Sequence, residues 1–161
     1  MIKSFIVSLV FIFPTMALSE FNQFDVAEKR FLREALLLPY TILLSDNATG
    51  NCWTNLEESR KAIWRPLSEI GIEFARATFN YIAVKVEGQR YNSECVGHIS
   101  IQLLTDATPV TAKWSSKKAP TLRSEVISVS ELVLSADNLN EEILGVLKGF
   151  SNSLTTFLKN N

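Results

Sequence analysis

The stretch ECVGHISIQLLT, residues 94–105, decides the fold, because apolar and polar side chains alternate along it. Successive side chains of a β-strand point to opposite faces of the sheet. One predicted face is apolar and consists of Cys95, Gly97, Ile99, Ile101 and Leu103. The other face is more polar and includes Glu94, His98, Ser100 and Gln102. We therefore expect a strand that packs against a core with one face only.

Two further strands are predicted on either side of this one in the sequence. Residues 78–87 also alternate, and residues 88–92 are typical of a hairpin loop. Residues 125–134 form the third predicted strand, and its apolar pattern changes phase near Glu131. Such a change indicates a β-bulge or burial on both faces. We expect these strands to form an antiparallel sheet.

Three other segments, residues 25–38, 54–70 and 138–159, have apolar residues at helical spacing. In the last of them, Gly145 and Gly149 would allow close packing against the sheet or a partner helix. The short run at 40–44 fits either a strand or a helix. The whole pattern predicts an α+β domain in the order α-α-β-β-β-α. An antiparallel sheet of three strands, or slightly more, would be packed by two or three helices.

The middle helix has clear signals at both ends. Thr54 and Glu57 have the spacing of a capping box, and Gly71 stands where the helix is expected to stop. Pro66 lies inside this segment, where proline removes a backbone hydrogen bond and clashes with the preceding turn. We therefore expect a kink or a break near Arg65.

The N-terminal residues follow the pattern of an export signal. Lys3 precedes an apolar stretch at residues 5–13, and Pro14 interrupts that stretch. Ala17 and Ser19 then supply small residues at the −3 and −1 positions of a cleavage site. The order of charge, apolar run and small residues is that of a secretory signal peptide.

An uncleaved membrane anchor is the alternative interpretation of the same residues. The apolar segment 4–18 is shorter than the roughly 20 residues needed to cross about 30 Å of hydrocarbon. We therefore predict that residues 1–19 are a cleaved signal peptide and that residues 20–161 form a single domain. The mature protein is expected in the periplasm or outside the cell, without stable insertion in a membrane.

Cys52 and Cys95 are the only cysteines of the chain. In an exported protein an even number of cysteines favours a disulfide bond, and two cysteines permit a single pairing. The bond would close a loop of about 43 residues and contribute at most about 4 kcal/mol in the chain-entropy model. Free or intermolecular thiols are the first alternative. A catalytic thiol is the second, but there is no C-x-x-C motif and only one histidine to activate it.

The charge balance excludes some classes of function. The chain has 16 basic and 17 acidic residues, and removal of Lys3 with the signal leaves 15 basic residues, a net charge of about −2. Proteins that bind nucleic acid or an anionic membrane mainly by charge carry an excess of basic residues. We therefore expect no nucleic-acid partner.

His98 is the only imidazole and hence the only candidate for histidine-dependent catalysis. A catalytic histidine needs a nucleophile or carboxylate within hydrogen-bond reach, and Glu94 would lie about 7 Å away on the same strand face. No group of residues has the spacing of metal ligands, and no phosphate-binding or hydrolase motif is present. We therefore predict no catalytic residues, no metal and no cofactor.

The segment at 106–123 is longer than a connection between two strands requires. An exposed tryptophan beside flexible cations is typical of a protein interface, so we predict that this segment binds a protein partner. Alternatively, the tryptophan covers a sheet edge and the lysines keep that edge soluble. The residues of this predicted binding loop are Lys113, Trp114, Lys117, Lys118 and Arg123.

The sequence therefore favours one functional hypothesis and leaves two others open. The favoured one is an exported, non-enzymatic protein that binds another macromolecule, as an inhibitor, an assembly chaperone or adaptor, or a secreted effector. The second is a periplasmic carrier of a small apolar ligand held between the helices and the sheet. The third is a hydrolase-like enzyme that uses His98.

Overall fold

The computed structural model describes residues 26–36, 38–76, 78, 80–107 and 122–160. These residues form three helices and four strands, and the α+β class predicted from the sequence is confirmed. The predicted signal peptide lies outside the described residues. In chain order the elements are α1 (Val26–Leu36), β1 (Thr41–Ala48), α2 (Leu56–Glu69), β2 (Tyr81–Tyr91), β3 (Glu94–Ala107), β4 (Leu122–Ser135) and α3 (Asn140–Asn160).

The four strands form one mixed sheet in the order β1-β2-β3-β4. Strands β2, β3 and β4 are antiparallel to one another, whereas β1 is parallel to β2. The prediction of an antiparallel sheet of three strands, or slightly more, was therefore wrong in its pairing, because the four-stranded sheet is mixed, and the predicted order α-α-β-β-β-α lacks β1. The reason lies in β1, whose short apolar run does not reveal its type. A crossover through α2 then brings the chain back in the same direction, which parallel pairing requires.

The core lies between one face of the sheet and helices α2 and α3. The buried aliphatic residues of the strands are Ile42, Ile82, Val84, Val86, Ile99, Ile101, Leu103, Ile127 and Val133. Facing them are Ile63 and Leu67 of α2 and Ile143, Leu147, Phe150 and Leu154 of α3. Each such side chain contributes about 1.5–3 kcal/mol by leaving water. The apolar face predicted for residues 94–105 is therefore the core face.

The sulfur atoms of Cys52 and Cys95 lie at disulfide-bonding distance, with the two Cα atoms 5.6 Å apart, as predicted. Both residues are buried. The carbonyl oxygen of Cys52 also accepts a hydrogen bond of 2.7 Å from the backbone N–H of Leu139. The disulfide therefore joins the segment before α2 to the beginning of β3, next to the start of α3. A disulfide of this kind indicates an oxidising compartment, as exported proteins occupy.

The ends of α2 agree only in part with the signals in the sequence. Gly71 has a φ of +90°, and its N–H donates to the carbonyl of Ser68 while that of Ile72 donates to Leu67. This is the glycine-terminated helix end that was predicted. The predicted capping box is not formed, because the N-cap residue is Asn55, and its side chain makes no capping hydrogen bond.

Two predicted irregularities also differ from the structure. Helix α2 continues through Pro66 to Glu69, so the helix does not break near Arg65, and the alternative, a kink, stays a prediction. The irregularity in β4 lies at Val126, because Leu103 pairs with Ile127 and Leu104 with Glu125. The bulge predicted near Glu131 therefore occurs nearer the beginning of the strand. Among the helices that the structure describes, none combines the length and the apolar character needed to cross a membrane.

Candidate functional site

The face of the sheet opposite the core is exposed over much of β2, β3 and β4, and we call it the open face. Because neighbouring strands are in register, its side chains form rows across the three strands. Three successive rows are Lys85–Ser100–Ser130, Glu87–His98–Leu132 and Gln89–Val96–Leu134. Polar residues thus give way to apolar ones towards the end of the sheet where Cys95 lies.

Four exposed apolar side chains at this end form a feature that we call the open-face patch: Tyr91, Val96, Leu132 and Leu134. The side chains of Leu132 and Leu134 are 79% and 61% exposed, although both belong to a regular strand. Single exposed apolar residues are common, but a contiguous group of them marks an interaction surface in many soluble proteins. The open-face patch also adjoins the outer edge of β4, the last strand of the sheet.

A polar cluster lies beside the patch. The His98 Nε2 and the Ser130 hydroxyl form a short hydrogen bond across β3 and β4. Glu87 stands opposite His98 in the register, but its carboxylate is paired with the Lys85 ammonium. A hydrogen bond from Lys85, together with the charge of that group, lowers the pKa of Glu87 below its ordinary value.

Serine, histidine and glutamate together can form a nucleophile, base and orienting acid. Here the carboxylate interacts with Lys85 and does not hold the His98 ring. Both Ser130 and Glu87 are exposed on the open face, so water is not excluded from the pair. The arrangement can therefore donate and accept hydrogen bonds to a bound molecule, but it lacks the enclosure that acyl-transfer sites use.

Most of the predicted binding loop lies outside the described residues, namely Lys113, Trp114, Lys117 and Lys118. Arg123 belongs to β4, where it stands opposite Asp106 in the register. The described parts of the chain contain no group of three or more histidine, cysteine or carboxylate residues that could hold a metal ion.

The open-face patch was missed in the sequence, although a signal for it was present. In β4, Leu132, Val133 and Leu134 are consecutive apolar residues, and a strand that contains such a run presents apolar side chains on both faces. The change of phase at Glu131 indicated this, but burial on both faces is an equally good explanation of it. Only the position of β4 at the edge of the sheet shows that Leu132 and Leu134 are exposed.

No protein-family model matches the chain, and no curated protein matches it.

Proposed function

We propose that this is an exported binding protein without enzymatic activity, and that an extended segment of a protein partner binds at the open-face patch. The observation that carries the proposal is the exposure of Leu132 and Leu134 on the outermost strand of the sheet. Inhibitors, assembly chaperones or adaptors and secreted effectors all act by contacts of this type. The proposed location is the periplasm or the outside of the cell, after cleavage of residues 1–19.

The backbone of β4 supports this mode of binding. An outermost strand directs alternate N–H and C=O groups away from its sheet, and an extended peptide can pair with them. Edge strands are commonly protected by lysine, proline or a bulge. Residues 128–135, SVSELVLS, contain no lysine, arginine or proline, and the bulge at Val126 precedes them. Their one charged residue, Glu131, stands opposite Ile99 in the register, on the core side of the strand. A peptide paired there would bring its side chains next to Leu132 and Leu134.

The opposite edge of the sheet, β1, is protected. The backbone of Tyr40 pairs with Glu73 and Ala75, and the Arg60 guanidinium donates to the carbonyl oxygen of Ile42 at 2.9 Å. At the end of β1, the N–H of Ala48 donates to the Asp46 carboxylate. The two edges therefore differ, and this asymmetry favours β4 as the strand to which a partner adds.

The predicted binding loop and the open-face patch are separate surfaces. Residues 108–121 connect Ala107 to Leu122, which pair at the far end of the β3–β4 hairpin. Ten strand residues, about 33 Å, separate Leu122 from Leu132. A connection of 14 residues that leaves and returns at one place reaches at most about 25 Å. We therefore propose that the predicted loop residues contribute a second contact with the partner.

The test is crosslinking and partner identification in the native compartment with three variants. We expect Leu132→Ser with Leu134→Ser to abolish recovery of the partner, because the apolar contact is lost. Leu43→Ser is the matched control, since Leu43 is also an exposed leucine of an edge strand, but on β1. The third variant, Trp114→Ala with Lys117→Glu and Lys118→Glu, measures the contribution of the predicted loop. Circular dichroism confirms that each variant is folded.

Recovery of the same partner by the double leucine variant and by the unchanged protein would disprove binding at the patch. Loss of the partner in the loop variant alone would assign binding to the loop instead. The hydrolase hypothesis has no comparable observation in the described residues. Hydrolase activity that disappears with His98→Ala in a folded protein would replace the present proposal.

A further inference from the structure

A second surface feature lies at the β1 side of the molecule. Helix α2, the beginning of β1 and residues 74–76 enclose a cleft of about 490 Å³ that is open to solvent. This volume lies within the range of small-ligand sites in proteins, about 300–1,000 Å³. The side chains that define its chemistry are Arg60, Trp64, Phe74 and Arg76.

The described part of the cleft carries positive charge without a counter-charge. None of the described residues that line it is acidic. Among the described residues the ion pairs are Arg30–Glu34 and Lys85–Glu87, so Arg60 and Arg76 have no carboxylate partner there. Burial raises the pKa of the Tyr40 phenol at the edge of the cleft, so this group stays neutral. The two guanidinium groups therefore determine the electrostatic preference of the cleft, which is for an anion.

Arg60 is also held in position. Its Nη1 donates to the carbonyl oxygen of Ile42 at 2.9 Å, which uses one of the five N–H donors of the guanidinium. The remaining donors are available to a planar anion, and a carboxylate matches their geometry. An arginine fixed by one hydrogen bond loses less conformational entropy when it binds a ligand.

The cleft also offers apolar contact. Trp64 stands one turn after Arg60 on α2, and its side chain is 44% exposed. Phe74 is half-buried and packs against the core, so its position is fixed. Aromatic side chains bind apolar groups over a large area at small entropic cost.

From this geometry we infer that the cleft is a binding site for a carboxylate attached to an apolar or aromatic group. The carboxylate binds Arg60 and Arg76, and the apolar group packs on Trp64 and Phe74. A free aromatic acid and an acidic residue of a peptide both have this chemistry. The site goes beyond the proposed function, because it is formed by α2 and β1 and shares no residue with the open-face patch.

The test is an NMR titration of the exported protein with its disulfide formed. The free-acid probe is 3-phenylpropionate, and its neutral control is 3-phenylpropionamide. The peptide probe is acetyl-Ala-Phe-Glu-Ala-amide, and its neutral control has glutamine in place of glutamate. The reporter is the Trp64 indole N–H, assigned with Trp64→Phe. The Trp53 indole, which is buried and donates to Ser59, reports on the fold.

We expect saturable shifts of the Trp64 signal with at least one acid, and at least tenfold weaker binding of its neutral control. Arg76→Gln should weaken binding about tenfold, because one of the two guanidinium groups that bind the carboxylate is lost. The fold should be unaffected, because this guanidinium has no described role in it. Arg65→Gln is the matched control, since Arg65 is also an exposed arginine but lies on α2 outside the cleft. It should leave binding unchanged. Raising the salt concentration should weaken binding, because the arginines are accessible to solvent.

The two probes identify the source of the ligand. Binding of the peptide alone assigns the site to a protein segment, whereas binding of the free acid alone assigns it to a small molecule. Equal affinity for an acid and its neutral control would overturn the inference. So would equal effects of Arg76→Gln and Arg65→Gln, the absence of any saturable shift, or equally tight binding of inorganic phosphate. In each case the Trp53 signal verifies that the protein is folded.

Discussion

At the scale of single residues, Gly97 shows how tightly the sheet and α3 are packed. A Cβ atom at this position would stand 2.5 Å from Leu139 Cδ1 and 2.9 Å from the carbonyl oxygen of Glu87. A Cβ atom at the neighbouring Gly88 would stand 3.2 Å from the same Leu139 Cδ1. The side chain of Leu139 therefore occupies a space that these two glycines leave open.

We expect Gly97→Ala to lower the free energy of unfolding by about 1–3 kcal/mol, the usual cost of overpacking. Leu139 can move to some extent, but the carbonyl of Glu87 belongs to the backbone of β2 and cannot. The measurement is urea denaturation of the oxidised protein. An unchanged denaturation midpoint would show that Gly97 is not in close contact with Leu139 and the carbonyl of Glu87.

Gly145→Ala is the matched control and should have the opposite effect. Gly145 is an exposed residue of α3, away from both helix ends, and no atom of the described residues lies within 4 Å of a Cβ built there. Alanine should therefore raise the free energy of unfolding by about 0.5–1 kcal/mol, because it restricts the unfolded chain and favours the helix. The expectation of close packing inside the domain at Gly145 and Gly149 was wrong, since no atom of the described residues lies within 4 Å of a Cβ at either position, whereas packing against a partner helix stays a prediction.

At the scale of elements, hydrogen bonds join the beginnings of α2 and α3. The side-chain oxygen of Asn140 accepts a bond of 3.0 Å from the backbone N–H of Thr54, and its Nδ2 donates to the Thr54 hydroxyl. The Asn55 amide donates to the carbonyl oxygen of Asn140. Thr54 thus binds the other helix and does not cap its own.

We expect Asn140→Ala to lower the free energy of unfolding by about 1–3 kcal/mol, because the side chain makes two hydrogen bonds and each typically contributes about 0.5–1.5 kcal/mol. Asn152→Ala is the control, because Asn152 is exposed in the same helix and tests helix propensity alone. It should be neutral or slightly stabilising. Equal effects of the two substitutions in urea denaturation would argue against a link between the helices.

The elements also show how far local patterns can be interpreted. The alternation in β3 and the glycine at the end of α2 were correctly interpreted, because both depend on contacts within a few residues. The same pattern places His98 on the open face, where the structure has it. The capping box predicted at Thr54 was wrong, because Asn140, 86 residues away, binds the same threonine. A competing partner so distant in the chain leaves no local signal.

At the scale of the whole molecule, the Cys52–Cys95 bond connects the segment before α2 with the beginning of β3, one of the two inner strands of the sheet. The closed loop contains α2, β2 and the first residues of β3, so the bond restricts a large part of the unfolded chain. In the chain-entropy model a loop with a sequence separation of 43 contributes at most about 4 kcal/mol. Such a contribution is a large fraction of the stability of a typical domain.

We therefore expect reduction, or Cys52→Ala with Cys95→Ala, to lower the free energy of unfolding by up to about 4 kcal/mol. Urea denaturation of the oxidised and reduced proteins measures the difference. The intact mass of the exported protein should correspond to a chain that begins at Glu20 and lacks two hydrogen atoms. A mass that includes residues 1–19, or free thiols in the native protein, would contradict these predictions.

The sequence by itself determined the α+β class, the core face of β3, the end of α2 and the pairing of the cysteines. Each follows from a short-range period, a special backbone conformation or a single possible pairing. Only the tertiary structure decided that β1 joins the sheet in parallel, that Leu132 and Leu134 are exposed, and that Arg60 and Arg76 share one cleft. The physical reason is that strand order and cleft formation depend on contacts between residues far apart in the chain. An apolar residue of the same type is buried where a helix covers the strand face and exposed where the face is open.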